Sequence, residues 1–149
     1  MITIHTDGSA LGNPGPGGYG VVLRFGETKK ELSEGYKATT NNRMELLAVI
    51  KGLEALKTVK YPIHIYSDSK YVTDAITKGW LMNWVKKNFK DKKNIDLWKR
   101  YLEVSKPFTL HFHWVKGHAG NPDNERCDVL AVDKAQKGPH KVDAGFEKR

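Results

Sequence analysis

The chain has 149 residues, of which 39% are hydrophobic and 28% charged, and its formal net charge at neutral pH is +8. This length predicts one domain with a core of its own, and the lack of a long apolar run excludes a membrane-spanning helix. The start MITIHTDG shows neither a basic leader nor a cleavage site, and Cys127 is the single cysteine. We therefore expect a protein that is not exported, has no internal disulfide and works in the cytoplasm.

Three strands are predicted near the start of the chain, where apolar and polar residues alternate. They cover residues 2–6, 19–25 and 28–37, and a tight turn around Gly26 joins the second strand to the third. Strands this close together in sequence favour an antiparallel meander.

The stretch GNPGPGGYG contains Gly15-x-Gly17-x-x-Gly20, which is the spacing of a dinucleotide-binding loop. Such a loop binds phosphate only when it opens a helix, because the helix N-terminus then faces the anion. Here the glycines lead into the run VVL, which favours a strand. We therefore interpret the stretch as structural.

Helices and strands alternate through the rest of the chain. Asn42 is the predicted N-cap of a long helix, and a basic segment with Trp80 and Trp84 one helical turn apart follows Gly79. The predicted elements are a helix at 43–56, a strand at 63–67, a short helix ending at 76, a helix at 94–104, a strand at 108–114 and a helix at 121–136.

This order predicts a single α/β domain over residues 1–137. The expected sheet is mixed and five-stranded, with the antiparallel meander joined by two parallel strands and with helices on both faces. Residues 138–149 show no periodicity, and we expect them to form a loose tail.

Two of the predicted strands end in the same pattern of hydroxyl, aspartate and small residue. Asp7 ends the first in ITIHTDG, and Asp68 ends the second in IHIYSDS. If the strands are parallel neighbours, the two carboxylates stand roughly 5 Å apart and repel each other by about 3 kcal/mol at an effective dielectric near 20. The pair must then share a proton or hold a cation, although each aspartate alone could simply cap a local turn.

Two further acids lie on helix faces that are expected to pack against the sheet. Glu45 shares a stripe with Ala48 and Val49, and Asp128 shares one with Ala131. Each has a structural alternative, since Glu45 could complete a capping box with the predicted N-cap and Asp128 could be a solvated charge. Four acids converging from two strands and two helices nevertheless predict a site for Mg²⁺ or Mn²⁺, because hard divalent ions prefer oxygen ligands.

Positive charge is concentrated between Lys86 and Arg100, where seven cations face only two aspartates. Such a concentration indicates a polyanionic partner, with nucleic acid favoured over an anionic membrane. Metal ions held by the carboxylates could then bridge the protein to phosphate, and two of them about 4 Å apart would serve an in-line displacement.

With these residues in place, the sequence resembles bacterial ribonuclease HI, the type 1 ribonuclease H family. The resemblance runs through four long motifs in the family's order: ITIHTDGSALGNPGPGGYG, TTNNRMELLAVIKGLEAL, YSDSKYV and WVKGHAGNPDNERCDVLA. It implies a ribonuclease H-like fold and sequence-nonspecific hydrolysis of the RNA strand of RNA–DNA hybrids, leaving 5′-phosphate and 3′-hydroxyl ends. It also implies a monomer that needs no obligate protein partner.

The resemblance assigns roles to the acids and to one histidine. It implies that Asp7 bridges two Mg²⁺ ions, for which Mn²⁺ could substitute. Glu45 and Asp68 would hold the ion on the leaving-group side, and Asp128 the ion on the nucleophile side. His118 matches a mobile-loop histidine that assists proton transfer or product departure.

The resemblance also implies a set of substrate contacts. Trp80 and Trp84 would lie along the DNA backbone in a basic handle at about residues 80–100, and nearby lysines would bind phosphates. Asparagines would read the minor groove, where 2′-hydroxyls mark the RNA strand. Lys70 stands at a groove contact where relatives usually carry glutamine, and Ala38 stands where they often carry arginine. The remaining contacts are Asn13, Asn41 and Asn42 for the groove, Thr40 and Asn94 for a DNA phosphate, and Lys86, Lys87, Lys90, Lys92 and Lys93 in the handle.

Several alternatives stay open at this point. DNA-directed integrases and junction resolvases also use carboxylates and metals, and a hybrid-binding module without activity would keep the same surface. His5 and His118 could act as a metal-free pair attacking through the 2′-hydroxyl. His111 and His113 form a His-x-His pattern that could suggest zinc, although strand histidines are usually structural.

Overall fold

The computed structural model describes residues 1–117 and 120–147. Within these residues the strands form one six-stranded sheet in the order β5-β4-β1-β2-β3-β6. The strands are β1 Ile2–Ala10, β2 Gly15–Phe25, β3 Thr28–Thr39, β4 Ile63–Ser67, β5 Leu110–Trp114 and β6 His140–Lys141. The helices are α1 Asn41–Glu54, α2 Lys70–Thr77, α3 Trp80–Lys86, α4 Ile95–Ser105, α5 Pro122–Lys137 and α6 Ala144–Glu147.

The mixed sheet predicted from the sequence is confirmed. β1, β2 and β3 form the antiparallel meander, and β4 and β5 add to β1 as parallel strands. The predicted number of five strands is wrong, because β6 pairs in parallel with Gly35 and Tyr36 of β3. Two residues are too few to produce a detectable alternation, so the sequence could not reveal this strand.

The core lies between the sheet and α1. Ile2 and Ile4 of β1 and Ile63 and Ile65 of β4 point to this side and are almost fully buried. α1 closes the layer with an apolar face that includes Leu46 and Ile50, both fully buried. Among the described residues, no helix has both the length and the apolar character that crossing a bilayer requires.

The glycines of the stretch GNPGPGGYG allow helix packing on the other face of the sheet. A Cβ atom on Gly20 would lie 2.3 Å from the carbonyl oxygen of Cys127 in α5, and one on Gly18 would lie 2.5 Å from that of Ala131. These distances leave no space for a side chain, so α5 can approach β2 only where the strand carries glycine. The interpretation of this stretch as structural agrees with the structure.

The first helix begins differently from the prediction. Thr40, not Asn42, is the N-cap, and its hydroxyl accepts a hydrogen bond from the backbone N–H of Arg43 at 3.2 Å. Glu45 therefore lies beyond the third helical position and cannot complete a capping box. Its carboxylate is free for another role.

The segment after α5 is not loose, which corrects the expectation for residues 138–147. Asp143 is buried against Arg43, whose side chain is only 1% exposed. The guanidinium donates from Nε and Nη2 to the two carboxylate oxygens at 2.8 and 2.9 Å, and the hydroxyl of Thr39 donates to the same carboxylate at 2.7 Å. Asp96 binds the outer edge of the guanidinium with two bonds of 2.8 Å. A buried arginine needs such partners, so the segment is held by charge pairing that leaves no local sequence pattern.

We expect Asp143→Ala to lower the free energy of unfolding by about 3 kcal/mol, because it leaves one side of a buried guanidinium unpaired. Urea denaturation followed by circular dichroism measures this change. The matched control is Asp133→Ala, whose exposed carboxylate pairs with Lys137 at 3.2 Å and should contribute no more than about 0.5 kcal/mol. Equal effects of the two substitutions would show that Asp143 does not anchor the segment.

Candidate active site and nucleic-acid interface

The parallel pairing of β1 and β4 brings the first two acids together. Thr6 lies opposite Ser67 in the register, so Asp7 and Asp68 follow at the same edge of the sheet. Asp7 is buried, with 6% of its surface exposed, and its Oδ1 accepts a hydrogen bond from the backbone N–H of Gly8 at 2.9 Å. Asp7 and Asp68 are therefore neighbours, as the two similar strand ends predicted.

Glu45 joins them because α1 comes unusually close to β1. A Cβ atom on Gly8 would lie 2.3 Å from the backbone nitrogen of Glu45, so only glycine permits this approach. One carboxylate oxygen from each of Asp7, Glu45 and Asp68 lies within 4.8 Å of the others. The three acids form a compact cluster, which we call the acid cluster.

Asp128 approaches the acid cluster from α5, on the opposite face of the sheet. It is half-buried and lies near enough to Asp7 to raise the pKa of that carboxyl. It does not belong to the group of oxygens within 4.8 Å, which among the described residues is limited to the other three acids. Asp128 therefore flanks the cluster.

The electrostatics of the acid cluster are unfavourable for three bare carboxylates. Burial, and then the charge of Asp68, raise the pKa of Asp7 to about 7. Burial, followed by the charges of Asp7 and Asp68, also raises the pKa of Glu45 well above its usual range. Oε1 of Glu45 and Oδ1 of Asp68 are buried and have no hydrogen-bond partner. Divalent cations fit this donor set, because they would supply the missing partners and balance the charge.

The loop after β5 borders the acid cluster. A Cβ atom on Gly117 would lie 3.2 Å from Oδ2 of Asp68, and the indole N–H of Trp114 donates to the carbonyl oxygen of Asp68 at 3.1 Å. The ammonium of Lys70 lies 4.7 Å from the centre of the Trp114 ring. His118, for which the sequence predicts a catalytic role, lies outside the described residues.

The alternative of a metal-free histidine pair loses support. His5 is buried, its ring stacks on Tyr66 at 4.7 Å between centroids, and its Nδ1 lies 3.8 Å from Oδ2 of Asp123. Burial is the main cause that lowers the pKa of His5. A side chain enclosed between the sheet and α5 is not placed to meet a polynucleotide.

The predicted phosphate and groove contacts meet around one cavity of about 320 Å³. Its lining residues come from four separate regions of the chain and are Asn13, Pro14, Thr40, Asn42, Lys93, Asn94 and Phe146. Asn41 lies beside it, since its side-chain oxygen accepts from the backbone N–H of Ala10 at 2.6 Å and its own N–H donates to Asn13 at 3.0 Å. We call this space the asparagine cavity.

Two features of the asparagine cavity depend on the tertiary structure and could not be predicted from a local sequence pattern. Asn94 has a φ of 61°, a left-handed conformation that asparagine tolerates, and its amide donates to the hydroxyl of Tyr71 at 3.0 Å. Phe146 enters the lining from the terminal segment, which the sequence interpretation treated as loose. No local signal identifies Phe146 in advance, because its position depends on the buried pairing of Asp143 with Arg43.

The handle is an ordered structure with an exposed basic surface. Trp80 is 46% exposed, whereas Trp84 is half-buried and meets the fully buried Trp98 edge-on at 5.7 Å between centroids. Phe89, only 5% exposed, anchors the loop after α3. A second cavity, of about 350 Å³, is lined by Asn83, Trp84, Lys87, Lys90, Asp91 and Lys92. Of the other predicted contacts, Lys86 is also exposed.

Comparisons with known proteins agree with this arrangement. The family model "RNase H" matches residues 1–136. The ribonuclease H of Syntrophus aciditrophicus is 54% identical to this chain, over 98% of the chain and 87% of the relative. The ribonuclease H of Helicobacter acinonychis is 56% identical, over 91% of the chain and 94% of the relative.

A solved structure supports the same assignment through its fold. The crystal structure of LC9-RNase H1, a type 1 RNase H with the type 2 active-site motif, superimposes with a TM-score of 0.83 at 30% identity, covering 99% of this chain and 79% of that chain. Both the sequence and the fold of the chain thus match one family over nearly its whole length. The chain belongs to the ribonuclease H family and is a ribonuclease.

Proposed function

We propose that the protein hydrolyses the RNA strand of RNA–DNA hybrids with divalent ions held by Asp7, Glu45, Asp68 and Asp128. The observation that carries this proposal is the acid cluster, with three carboxylate oxygens within 4.8 Å and two buried oxygens that lack a hydrogen-bond partner. A structural neighbour, LC11-RNase H1, was solved in complex with an RNA/DNA hybrid and has a TM-score of 0.70 at 26% identity. It supports a hybrid as the substrate.

The roles of the acids are those that the resemblance to type 1 ribonuclease H implies. Asp7, which interacts with Asp68, Glu45 and Asp128, would be shared by two ions. Mg²⁺ is the proposed natural ion and Mn²⁺ a substitute, since both prefer carboxylate oxygens. When bound, a pair of such ions supplies activation of the attacking water and stabilisation of the leaving oxygen.

The proposed reaction breaks the bond between phosphorus and the 3′ oxygen of the preceding ribose. Water supplies the hydroxyl that ends on the 5′-phosphate, and the departing 3′ oxygen takes up a proton. The role of His118 in this proton transfer rests on the sequence resemblance. The substrate 2′-hydroxyl is not the nucleophile, so no cyclic phosphate forms.

Substrate selection is assigned to the surfaces beside the acid cluster. We propose that Thr40 and Asn94 hold a DNA phosphate in the asparagine cavity, while Asn13, Asn41 and Asn42 read the minor groove. The hydroxyls of the RNA strand, not the base sequence, would then determine selectivity.

The remaining substrate contacts are proposed for the handle and for α2. Trp80 and Trp84 would lie along the DNA backbone, and Lys70 would stand near the groove. The phosphate-binding lysines would be Lys86, Lys87 and Lys90. The proposed partner is the hybrid duplex itself, bound by a cytoplasmic monomer.

The first prediction concerns substrate and product chemistry. With Mg²⁺ present, the protein should cleave the RNA strand of a labelled hybrid but neither duplex DNA nor single-stranded RNA, and a chelator should abolish cleavage. Analysis of product ends should find 5′-phosphate and 3′-hydroxyl groups. Activity that survives the chelator, or a 2′,3′-cyclic phosphate end, would refute the mechanism, and a preference for duplex DNA would refute the substrate.

The second prediction concerns Asp7→Asn. We expect hybrid cleavage to fall at least about a thousandfold, since loss of metal-assisted stabilisation removes several kcal/mol from the reaction. Hybrid affinity, measured by fluorescence anisotropy, should change little because the handle is intact.

The matched control is Asp133→Asn, which alters an exposed acid on the same helix as Asp128 and should keep full activity. Without metal, Asp7→Asn should not lower the unfolding midpoint, because burial and Asp68 already disfavour the charged carboxyl. Normal turnover by a folded Asp7→Asn protein would exclude the role assigned to Asp7.

The third prediction concerns the handle. The logarithm of hybrid affinity should fall linearly with the logarithm of salt concentration, by about 0.7 to 0.9 per phosphate neutralised. The triple change Lys86→Glu, Lys87→Glu and Lys90→Glu should make that slope shallower by about 2 to 3.

The control for the handle changes three exposed lysines at the other end of the sheet. They are Lys30, Lys57 and Lys60, each replaced by glutamate. The control has the same net charge as the handle variant, so a difference in salt dependence between the two must come from where the changed charges lie. An equal loss of slope in both variants would remove the handle from the interface.

A further inference from the structure

Three histidines lie together on β4 and β5, outside the acid cluster. They are His64, His111 and His113. The parallel register places His64 opposite His111, and Tyr66 opposite His113. Side chains alternate along a strand, so these four point to the face opposite Ile65. His111 is exposed, while His64 and His113 are half-buried, so the histidines are open to solvent.

The rings of the three histidines are close and nearly parallel. The His64 ring lies 4.8 Å from that of His111 and 5.1 Å from that of His113, at interplanar angles of 19° and 16°. Nδ1 of His64 and Nε2 of His113 are 2.8 Å apart. On the inner side, Tyr66 stacks on His113 at 4.7 Å, which restricts the rotation of that ring.

The 2.8 Å between Nδ1 of His64 and Nε2 of His113 equals the distance between adjacent nitrogen ligands of one metal ion. Two nitrogen ligands about 2.0 Å from one metal ion, at right angles to each other, lie about 2.8 Å apart. Right-angled nitrogen ligands are typical of the tetragonal sites of Cu²⁺ and Ni²⁺. The side chains of His64 and His113, diagonal neighbours on β4 and β5, therefore already hold two nitrogens at the spacing of adjacent ligands.

We propose that His64 and His113 bind a divalent transition-metal ion of the imidazole-preferring class, Cu²⁺ most tightly. This site is separate from the acid cluster in both place and donor chemistry. Imidazole suits Cu²⁺, Ni²⁺ and Zn²⁺, whereas Mg²⁺ prefers oxygen ligands, so the two sites select different ions.

Binding needs a tautomer change and a rotation of the two rings that turns their facing lone pairs from each other towards a shared ion. The contact between His64 and His113 requires one N–H donor and one lone pair. Moving that hydrogen to the other nitrogen of the same ring leaves lone pairs on both facing atoms, with no proton released.

The test is a titration of the whole protein with Cu²⁺ in the presence of excess Mg²⁺, followed by electron paramagnetic resonance and calorimetry. Mg²⁺ occupies carboxylates but does not compete for imidazole. We expect one equivalent of Cu²⁺ to show hyperfine coupling to at least two nitrogens. His64→Gln and His113→Gln should each weaken binding by about tenfold or more, and the double variant should lose the nitrogen coupling.

The matched control is His140→Gln, because His140 lies on β6 and its Nε2 is bonded to the carbonyl oxygen of Ala135. It should leave Cu²⁺ affinity unchanged. Circular dichroism confirms that each variant is folded, and hybrid cleavage with Mg²⁺ alone should be the same in all of them. The proposal fails if the spectrum shows oxygen ligands only, or if the nitrogen coupling survives in the folded double variant. Because binding is read without substrate, this failure would leave the proposed nuclease function untouched.

Discussion

Mutual repulsion among buried carboxylates is the constraint on which the rest of this structure depends. Asp7, Glu45 and Asp68 are brought within 4.8 Å of one another although burial and like charge oppose ionisation of all three. The fold holds them there because each is attached to an element fixed by the hydrophobic core. β1 and β4 share a continuous backbone ladder, and α1 buries a broad apolar face against β1 and β2. Core burial thus offsets an arrangement that is unfavourable by itself and creates a strong preference for cations.

Close backbone contact is the second requirement, and glycine supplies it on both faces of the sheet. Gly8 lets the start of α1 approach β1, which brings Glu45 to Asp7. Gly20 lets α5 approach β2, which brings Asp128 to the same edge from the other side. The approach of these acids from four separated segments depends on the close backbone contacts at Gly8 and Gly20.

The buried charge network around Arg43 connects the site to the end of the chain. Arg43 lies two residues before Glu45 and is paired with Asp96 in the first turn of α4 and with Asp143 immediately before α6. The same network supports the asparagine cavity, where Phe146 meets residues from the first third of the chain. The acid cluster, the asparagine cavity and the terminal segment are therefore parts of one packed unit.

The sequence by itself determined the order of the main elements, the mixed sheet and the neighbouring positions of Asp7 and Asp68, because hydrophobic periodicity and strand-end motifs are local signals. The tertiary structure decided that Thr40 caps α1, that the terminal segment packs through Asp143, and that His64 joins the histidines of β5. Each of these depends on a competition between neighbouring caps or on contacts between residues far apart in the chain. Such contacts arise only when strands pair and helices pack, so no local pattern of residues encodes them.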